Sequence, residues 1–459
     1  MTQVRIIGGG LAGCEAAWQV ARRGVAVRLS EMRPARMTEV HRTDALAELV
    51  CSNSLRGDKL DNAVGLLKEE MRRLDSLVMA AAEATRVPAG AALAVDRDAF
   101  SAWITRAVTA DPLITLVREE VTDIPDARAL REPVILATGP LTSEALSSRL
   151  AAFVGDAALY FYDAVSPIVL ADSIDRSRVF RASRYNRSLG PKSDAAEPEG
   201  PAGAGGDGQG DYLNCPFTKA EYEAFYDALV HAESATVHDL DREHFFEGCL
   251  PIEVLAHRGH DTLRFGPMKP VGLTDPRTGR WPYAAVQLRQ DNLAGDHFSL
   301  VGFQTQLKWG EQARVLRMIP GLEHAEFARF GIVHRNTYVN GPSVLRESWQ
   351  TKARADLLLA GQMSGVEGYV ESAASGLLAG LTAAALARGE EVHCAPRTTA
   401  IGALAYYVSH AAAAHYQPSN ITFGIMEPLP NPPRGKAERK LAISVRALTA
   451  LDEWMGRWR

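Results

Sequence analysis

Two cysteines stand where a thiol could act rather than only pack. Cys51 lies in Glu48-Leu-Val-Cys-Ser-Asn-Ser-Leu-Arg-Gly-Asp58, a polar stretch with Arg56 and Lys59 nearby, whereas a structural thiol usually has more apolar neighbours. Cys215 lies in Tyr212-Leu-Asn-Cys-Pro-Phe-Thr-Lys-Ala-Glu221, ahead of a helix opened by the capping-box pattern Thr218-x-x-Glu221, and helix N-termini lower thiol pKa values. A thiolate is a nucleophile, so either could attack an electron-poor carbon; packing or a plain polar loop is the competing reading for each. Cys14, Cys249 and Cys394 form no C-x-x-C pair and have no histidines at ligand spacing, which argues against a bound metal and against a disulfide framework. Cys14, inside the first helix, reads as packing.

The second set of residues could hold a dinucleotide. Gly8, Gly10 and Gly13 form a G-x-G-x-x-G string between an apolar strand, Val4-Arg-Ile-Ile7, and the helix formers Glu15 to Arg22. Gly8 permits the tight turn, Gly10 lets backbone approach a pyrophosphate, Gly13 lets helix and strand pack closely, and the helix N-terminus attracts the anion. Gly9, Leu11 and Ala12 complete the loop, and Glu31, after the strand Val25-Ala-Val-Arg-Leu29, is placed for a ribose hydroxyl. A ligand-free glycine turn is disfavoured by that acid at the expected distance. Gly139 closes the strand pattern Val134-Ile-Leu-Ala-Thr-Gly. Gly361, Gln362, Gly365, Val366, Glu367 and Gly368 form a second glycine-rich strand-to-helix junction. Two such junctions favour FAD over a nicotinamide cofactor.

These residues need a scaffold, and the strand, glycine loop, helix and strand at the chain start supply a β-α-β unit within about 30 residues. Leu357-Leu-Leu-Ala-Gly361 repeats the buried-strand pattern of 134–139 far downstream, so the first domain reads as discontinuous. The expected fold class is α/β: a Rossmann-type FAD-binding domain of the glutathione-reductase-like kind over 1–144 and 331–459, with a smaller α+β domain inserted at 145–330 for substrate or RNA. Apolar residues at helical spacing predict one amphipathic helix from Leu60 to Ala84. The Gly-rich stretch near 190–210 predicts a mobile loop, and 432–459 a basic C-terminal helix.

With 459 residues, 46% hydrophobic and 23% charged, the chain has ordinary globular composition and length for two or three domains. A net charge of -5 advertises no polyanion partner globally, so RNA contact must rest on a local face. The N-terminus has no basic, long apolar or cleavage region, and Ser375 to Ala387 falls short of the ~20 residues a membrane span needs. The sequence therefore reads as cytoplasmic, without a membrane partner.

Long strings beyond the glycine loop carry a resemblance. They are Cys51-Ser-Asn-Ser-Leu-Arg, Asn214-Cys-Pro, Phe246-Glu-Gly-Cys-Leu-Pro-Ile-Glu253, Leu263-Arg-Phe-Gly-Pro-Met-Lys-Pro270, Phe303-Gln-Thr-Gln-Leu-Lys-Trp-Gly310, His334-Arg-Asn-Thr337 and Gly365-Val-Glu-Gly-Tyr-Val-Glu-Ser-Ala-Ala-Ser375. Over nearly its whole length the chain resembles the TrmFO family, the bacterial folate- and FAD-dependent tRNA uracil-5-methyltransferases related to the GidA/MnmG flavoproteins. The resemblance implies that NADH or NADPH reduces FAD, that 5,10-methylenetetrahydrofolate gives its one-carbon unit, and that the carbon reaches C5 of the T-loop uridine 54 of tRNA. Residue chemistry agrees: uracil C5 becomes nucleophilic once a thiolate adds to C6, and a base must then take the C5 proton.

By analogy with that family, Cys215 is the thiol that attacks uracil and Cys51 its partner near the flavin, with the reverse order open. Arg264, Lys269, Lys308 and Arg335 fall in matching strings and could hold folate carboxylates or RNA phosphates, against an equal case for paired structural charges. Trp281, Tyr283 and Tyr338 could stack on a pterin or base, with aromatic core the stronger reading. The competing functions are the same chemistry on a ribosomal-RNA uridine and a non-methylating FAD protein or NAD(P)H oxidase. A homo-oligomer is left open.

Overall fold

The computed structural model describes residues 3–38, 40–126, 132–155, 158–164, 166–186, 210–234, 250–331 and 333–456. The Gly-rich stretch at 190–209 and Cys249 lie outside the described residues.

Apolar runs too short for helices build a five-stranded, all-parallel sheet. Its strands are β1 (Gln3–Ile7), β2 (Ala26–Glu31), β3 (Ile114–Arg118), β4 (Val134–Leu136) and a last one at Leu357–Leu359, which lies at one edge beside β4, followed by β1, β2 and β3. Residues more than 200 positions apart thus share one sheet. Val4, Ile6, Val27, Leu29, Ile135 and Leu358 are fully buried in it, as parallel strands covered on both faces require.

Helix α1 (Leu11–Ala21) crosses a 20-residue helix, Tyr369–Arg388, almost without side chains between them. A Cβ on Gly376 would stand 2.1 Å from the Ala12 carbonyl oxygen, and one on Gly380 2.8 Å from that of Ala16. The small residues of 372–380 therefore admit a helix. Tyr369–Arg388 is long and apolar enough by composition to cross a membrane, but most of it is buried inside the fold.

One sequence expectation is corrected. The apolar periodicity of 60–84 belongs to two helices, α2 (Ala63–Arg73) and α3 (Leu77–Ala84), not one. Asp75 adopts a positive φ of 55°, and the Ser76 hydroxyl accepts the Met79 N–H and donates 2.7 Å to the buried Glu15 carboxylate, so a new cap forms inside the pattern.

The inserted segment forms a six-stranded antiparallel sheet. Its strands are β5 (Ile168–Leu170), β6 (Phe180–Arg181), β7 (Tyr212–Phe217), β8 (Ala284–Gln290), β9 (His297–Leu300) and β10 (Phe327–Arg329), in spatial order β6, β7, β8, β9, β5, β10. A separate core of Leu213, Phe217, Tyr222, Phe225, Val286 and Phe303 fills one face. α4 (Lys219–Val230) packs there behind a complete capping box, Thr218 and Glu221 each accepting the other's backbone N–H. The later helices α5 (Tyr369–Arg388), α6 (Ala400–His410) and α7 (Lys436–Met455) return to the parallel sheet's layer.

Candidate functional site

The loop after β1 is shaped by contacts only glycine allows. Gly8 has φ 106°, and a Cβ on Gly13 would sit 1.8 Å from the Gly8 carbonyl oxygen. A Cβ on Gly10 would meet nothing within 4 Å, so that position opens onto space. Gly10 caps α1 without a side-chain bond, leaving first-turn N–H groups free to take an anion.

That space is a groove bounded by Gly8, Gly10, Leu11, Ala12, Glu31, Gly139, Gly361 and Gln362. It gathers eight residues expected from sequence, drawn from four strand ends. Gly9, Gly13, Gly365, Val366, Glu367 and Gly368 do not line it. Gly9 donates 2.8 Å to Glu31, Gly365 packs under Tyr416, which donates 2.8 Å to its carbonyl, and Gly368 (φ 109°) caps α5. Residues the sequence reading missed complete the wall, among them Arg33, His41, Glu48, Thr138 and Tyr369.

Glu31 is 5% exposed and doubly held: Oε2 accepts from Gly9 N, and Oε1 from Arg33 N at 3.0 Å and Arg33 Nε at 2.9 Å. Burial works against its charge, but the Arg33 guanidinium and the two N–H groups outweigh it and hold the carboxyl below its usual range. An ionised carboxylate at the end of β2 is the acceptor a ribose diol requires. The open Gly10, the uncapped α1 and this acid together fit the pyrophosphate and ribose of a dinucleotide.

Next to the groove lies the Cys51 loop, held through its backbone and through the side chains of Ser52 and Asn53. Tyr369, at the first turn of α5 and on the groove wall, accepts the Cys51 N–H at 2.7 Å and the Ser52 N–H at 3.2 Å on its hydroxyl. The Cys51 carbonyl accepts from Arg97 Nη2 and Arg329 Nη2, both at 3.0 Å; Arg97 also reaches the Leu49 carbonyl and Arg329 that of Val50. Arg289 donates 2.7 Å bonds to Asn53 Oδ1 and Ser52 Oγ. All three guanidiniums interact electrostatically with the thiol, and Asp291, paired to Arg97 at 2.8 Å, balances them in part. Burial and then the like charge of Arg97 push Arg329 down to about 10. Crowded positive charge of this kind favours a thiolate.

Cys215 is elsewhere. It lies on β7 opposite Val286 of β8, fully buried in the inserted domain's core. Its neighbour Asn214 faces the other way, accepting 3.0 Å from Gln287, two residues before the Arg289 that grips the Cys51 loop. Successive strand residues point to opposite faces, so the sheet separates the two thiols. The expected lowering of the Cys215 pKa is reversed: burial, then the Glu323 carboxylate, pushes it up. The helix is real, but the cysteine sits in the strand ahead of it.

The whole chain has close relatives. The family model described as "Glucose inhibited division protein A" matches residues 3–391. The protein named "Methylenetetrahydrofolate--tRNA-(uracil-5-)-methyltransferase TrmFO" of Enterococcus faecalis is 55% identical over 446 residues, 97% of each chain. Proteins of the same name from Pelotomaculum thermopropionicum and Desulforudis audaxviator are 55% and 56% identical over 98% of each chain. This chain belongs to the TrmFO family.

Two solved structures of Aquifex aeolicus GidA share its fold, with TM-scores of 0.69 and 0.68 at 18% and 17% identity, covering 98% of this chain and 76% and 73% of theirs. The Rossmann-type FAD-binding class expected from the sequence is therefore the fold of this TrmFO-family chain. Its remaining expected site residues are scattered. Arg264 bonds Asp261 at 2.8 Å and lies 3.7 Å over the Tyr283 ring, and Lys308 pairs with Glu233 at 2.7 Å. Lys269 and Trp281 are exposed, and Tyr338 is buried beside Tyr416. The Arg335 side chain lies outside the described residues. Tyr369 was legible within the string 365–375; Arg97, Arg289 and Arg329 had no signal, since each reaches Cys51 or its neighbours from a distant strand or helix.

Proposed function

We propose that the protein transfers the one-carbon unit of 5,10-methylenetetrahydrofolate to C5 of uracil in tRNA, at the T-loop uridine, with FAD in the groove and NADH or NADPH as reductant. The observation that carries this reading is Tyr369, which lines the dinucleotide groove and holds the backbone of Cys51 with one hydroxyl. A redox cofactor and a nucleophile are thus set side by side, and whole-length identity to the TrmFO relatives supplies the substrates.

Bound and reduced, FAD supplies the carrier and the hydride that turn a methylene into a methyl group. The chain does the rest. The α1 N-terminus and Gly10 receive the pyrophosphate and Glu31 the ribose, while Arg97, Arg289 and Arg329 favour the Cys51 thiolate. A thiolate added to uracil C6 pushes electron density onto C5 for attack on the one-carbon unit; loss of the C5 proton and expulsion of the thiolate complete the exchange. The half-buried Cys51 beside the groove is favoured over the fully buried Cys215 as that thiolate, the reverse of the family-based order.

The test is incubation with NADH, methylenetetrahydrofolate and an unmodified tRNA transcript, followed by nucleoside mass spectrometry. 5-Methyluridine at the T-loop, lost in Cys51→Ala with flavin retained, is expected. Product in ribosomal RNA alone would move the target, and NADH consumption with no methylated RNA of either kind would sink the reading.

A further inference from the structure

The last helix changes character along one stripe. On α7, residues 436, 440, 443, 447, 451 and 454 follow one another at spacings of three and four and so share a face. Ile443, Ala447, Leu451 and Trp454 on that face are buried, whereas its first two positions are Lys436, exposed, and Lys440, half-exposed. The packing face therefore becomes cationic where the helix outruns its support.

Arg434 and Arg439 flank these lysines, giving four cations and a single acid, Glu438, in the seven residues from 434 to 440. Positive charge at a helix N-terminus opposes the helix dipole, so stability gives no reason for it. Among the described residues, Arg434, Lys436 and Lys440 have no carboxylate within ion-pair distance, and the Arg439 guanidinium meets only the Pro433 carbonyl. The next turn ties the helix to the end of the segment that begins at Cys51. Ser444 donates 2.8 Å to the Leu60 carbonyl, beside the exposed Lys59, and Leu60 ends the segment that leads from Cys51 through the strand Ser54–Gly57. Leu441 and Val445 stand 58% and 57% exposed one turn apart on the outer face.

We infer that the N-terminal half of α7, with Lys59, is the surface on which the RNA backbone docks. This rests on the proposed tRNA reading and deepens it. A chain of net charge -5 cannot draw in a polyanion by its overall field, so affinity must come from unpaired local cations. Lysines one helical turn apart, about 5.4 Å, present point charges at a spacing a phosphate backbone can follow. Among the described residues these cations meet no carboxylate, they are exposed or half-exposed, and they are joined through residues 51–60 to the thiol loop.

The test is the double variant Lys436→Glu with Lys440→Glu on the full holoprotein, measured by binding to an unmodified tRNA transcript across a salt series. Carboxylates suit a helix N-terminus, so the variant should fold at least as well as the parent. The expected result is affinity lost by tenfold or more at low salt and a slope of log Kd on log salt reduced by about two, with NADH oxidation in the absence of RNA unchanged and binding kept in Lys436→Arg with Lys440→Arg. An unchanged Kd and slope, in a parent that binds and methylates the transcript, overturns this surface and leaves the function standing. A parent that neither binds nor methylates overturns the function and this surface with it. Lost self-association with RNA binding intact would assign the face to a second copy and overturn the inference.

Discussion

Cys51 is reactive, on this reading, because the groups that hold its loop also bring three guanidiniums to its thiol. Tyr369 fixes two N–H groups, and two arginines share its carbonyl. Tyr369→Phe removes the acceptor from both N–H groups while keeping the ring that packs on the groove wall. Leaving these part-buried donors unmet costs at most about 1–3 kcal/mol, enough to loosen the loop without unfolding the protein. The expected outcome is a variant that retains flavin, alkylates Cys51 with a changed pH profile, and methylates tRNA ten- to a hundredfold more slowly. Cys215, across the sheet, should stay as slow to alkylate as in the parent, which makes it an internal control. Wild-type turnover and labelling in Tyr369→Phe would remove the tyrosine from the site. The polar string around Cys51 marked it in sequence as a candidate reactive thiol. The direction of Cys215 was not legible, because one step of strand register decides which face a side chain takes.

Among the elements, α6 hangs on one buried acid. Glu70 of α2, fully buried, accepts the N–H groups of Ala400 and Ile401 at 2.7 and 2.8 Å, capping a helix 330 residues away. Burial raises its carboxyl to about 8, the two N–H bonds resisting only in part. The folded pKa lies above the ordinary carboxylate value of 4.5, so the folded state holds a proton that the unfolded state gives up. The stability linked to it is full below pH 4.5 and is lost as pH rises through about 8. In Glu70→Gln, which cannot ionise, melting measured from pH 5 to pH 9 should fall less steeply than in the parent, the gap closing or reversing at alkaline pH. Parallel curves would mean that Glu70 stays charged at both ends. Nothing in the sequence marks this pairing. Local signals gave β1, α1, β2 and the capping box of α4, since a tight turn needs glycine and a helix start needs an acceptor. They misjudged 60–84, where the hydrophobic period runs through a break made by Ser76 and the distant Glu15.

At the scale of the whole molecule, the groove gathers two stretches far apart in sequence: its wall runs from Ile7 to Leu146 and resumes from Gly361 to Ser372, with the inserted sheet between them in sequence. That sheet is tied back through Arg289 to Ser52 and Asn53, and through Asp291 to Arg97. A ligand bridging both stretches binds only the folded chain, so it must raise stability by mass action, about 2.7 kcal/mol at a hundredfold excess over its dissociation constant. Flavin-stripped protein should therefore melt several degrees lower than the holoprotein, recover on adding FAD, and climb further with the logarithm of FAD concentration. Because the inserted sheet grips the Cys51 loop rather than the cofactor, its own unfolding should follow the same transition instead of a separate, flavin-independent one. Near-ultraviolet dichroism, dominated by aromatics of both cores, reads the joint event, and flavin fluorescence reads release from the groove. Coincident curves fit one cooperative body assembled across the insertion. An early flavin-independent transition would mean that Arg97 and Arg289 fail to couple the two sheets, and that Cys215 has a route to the substrate through local opening of its own core.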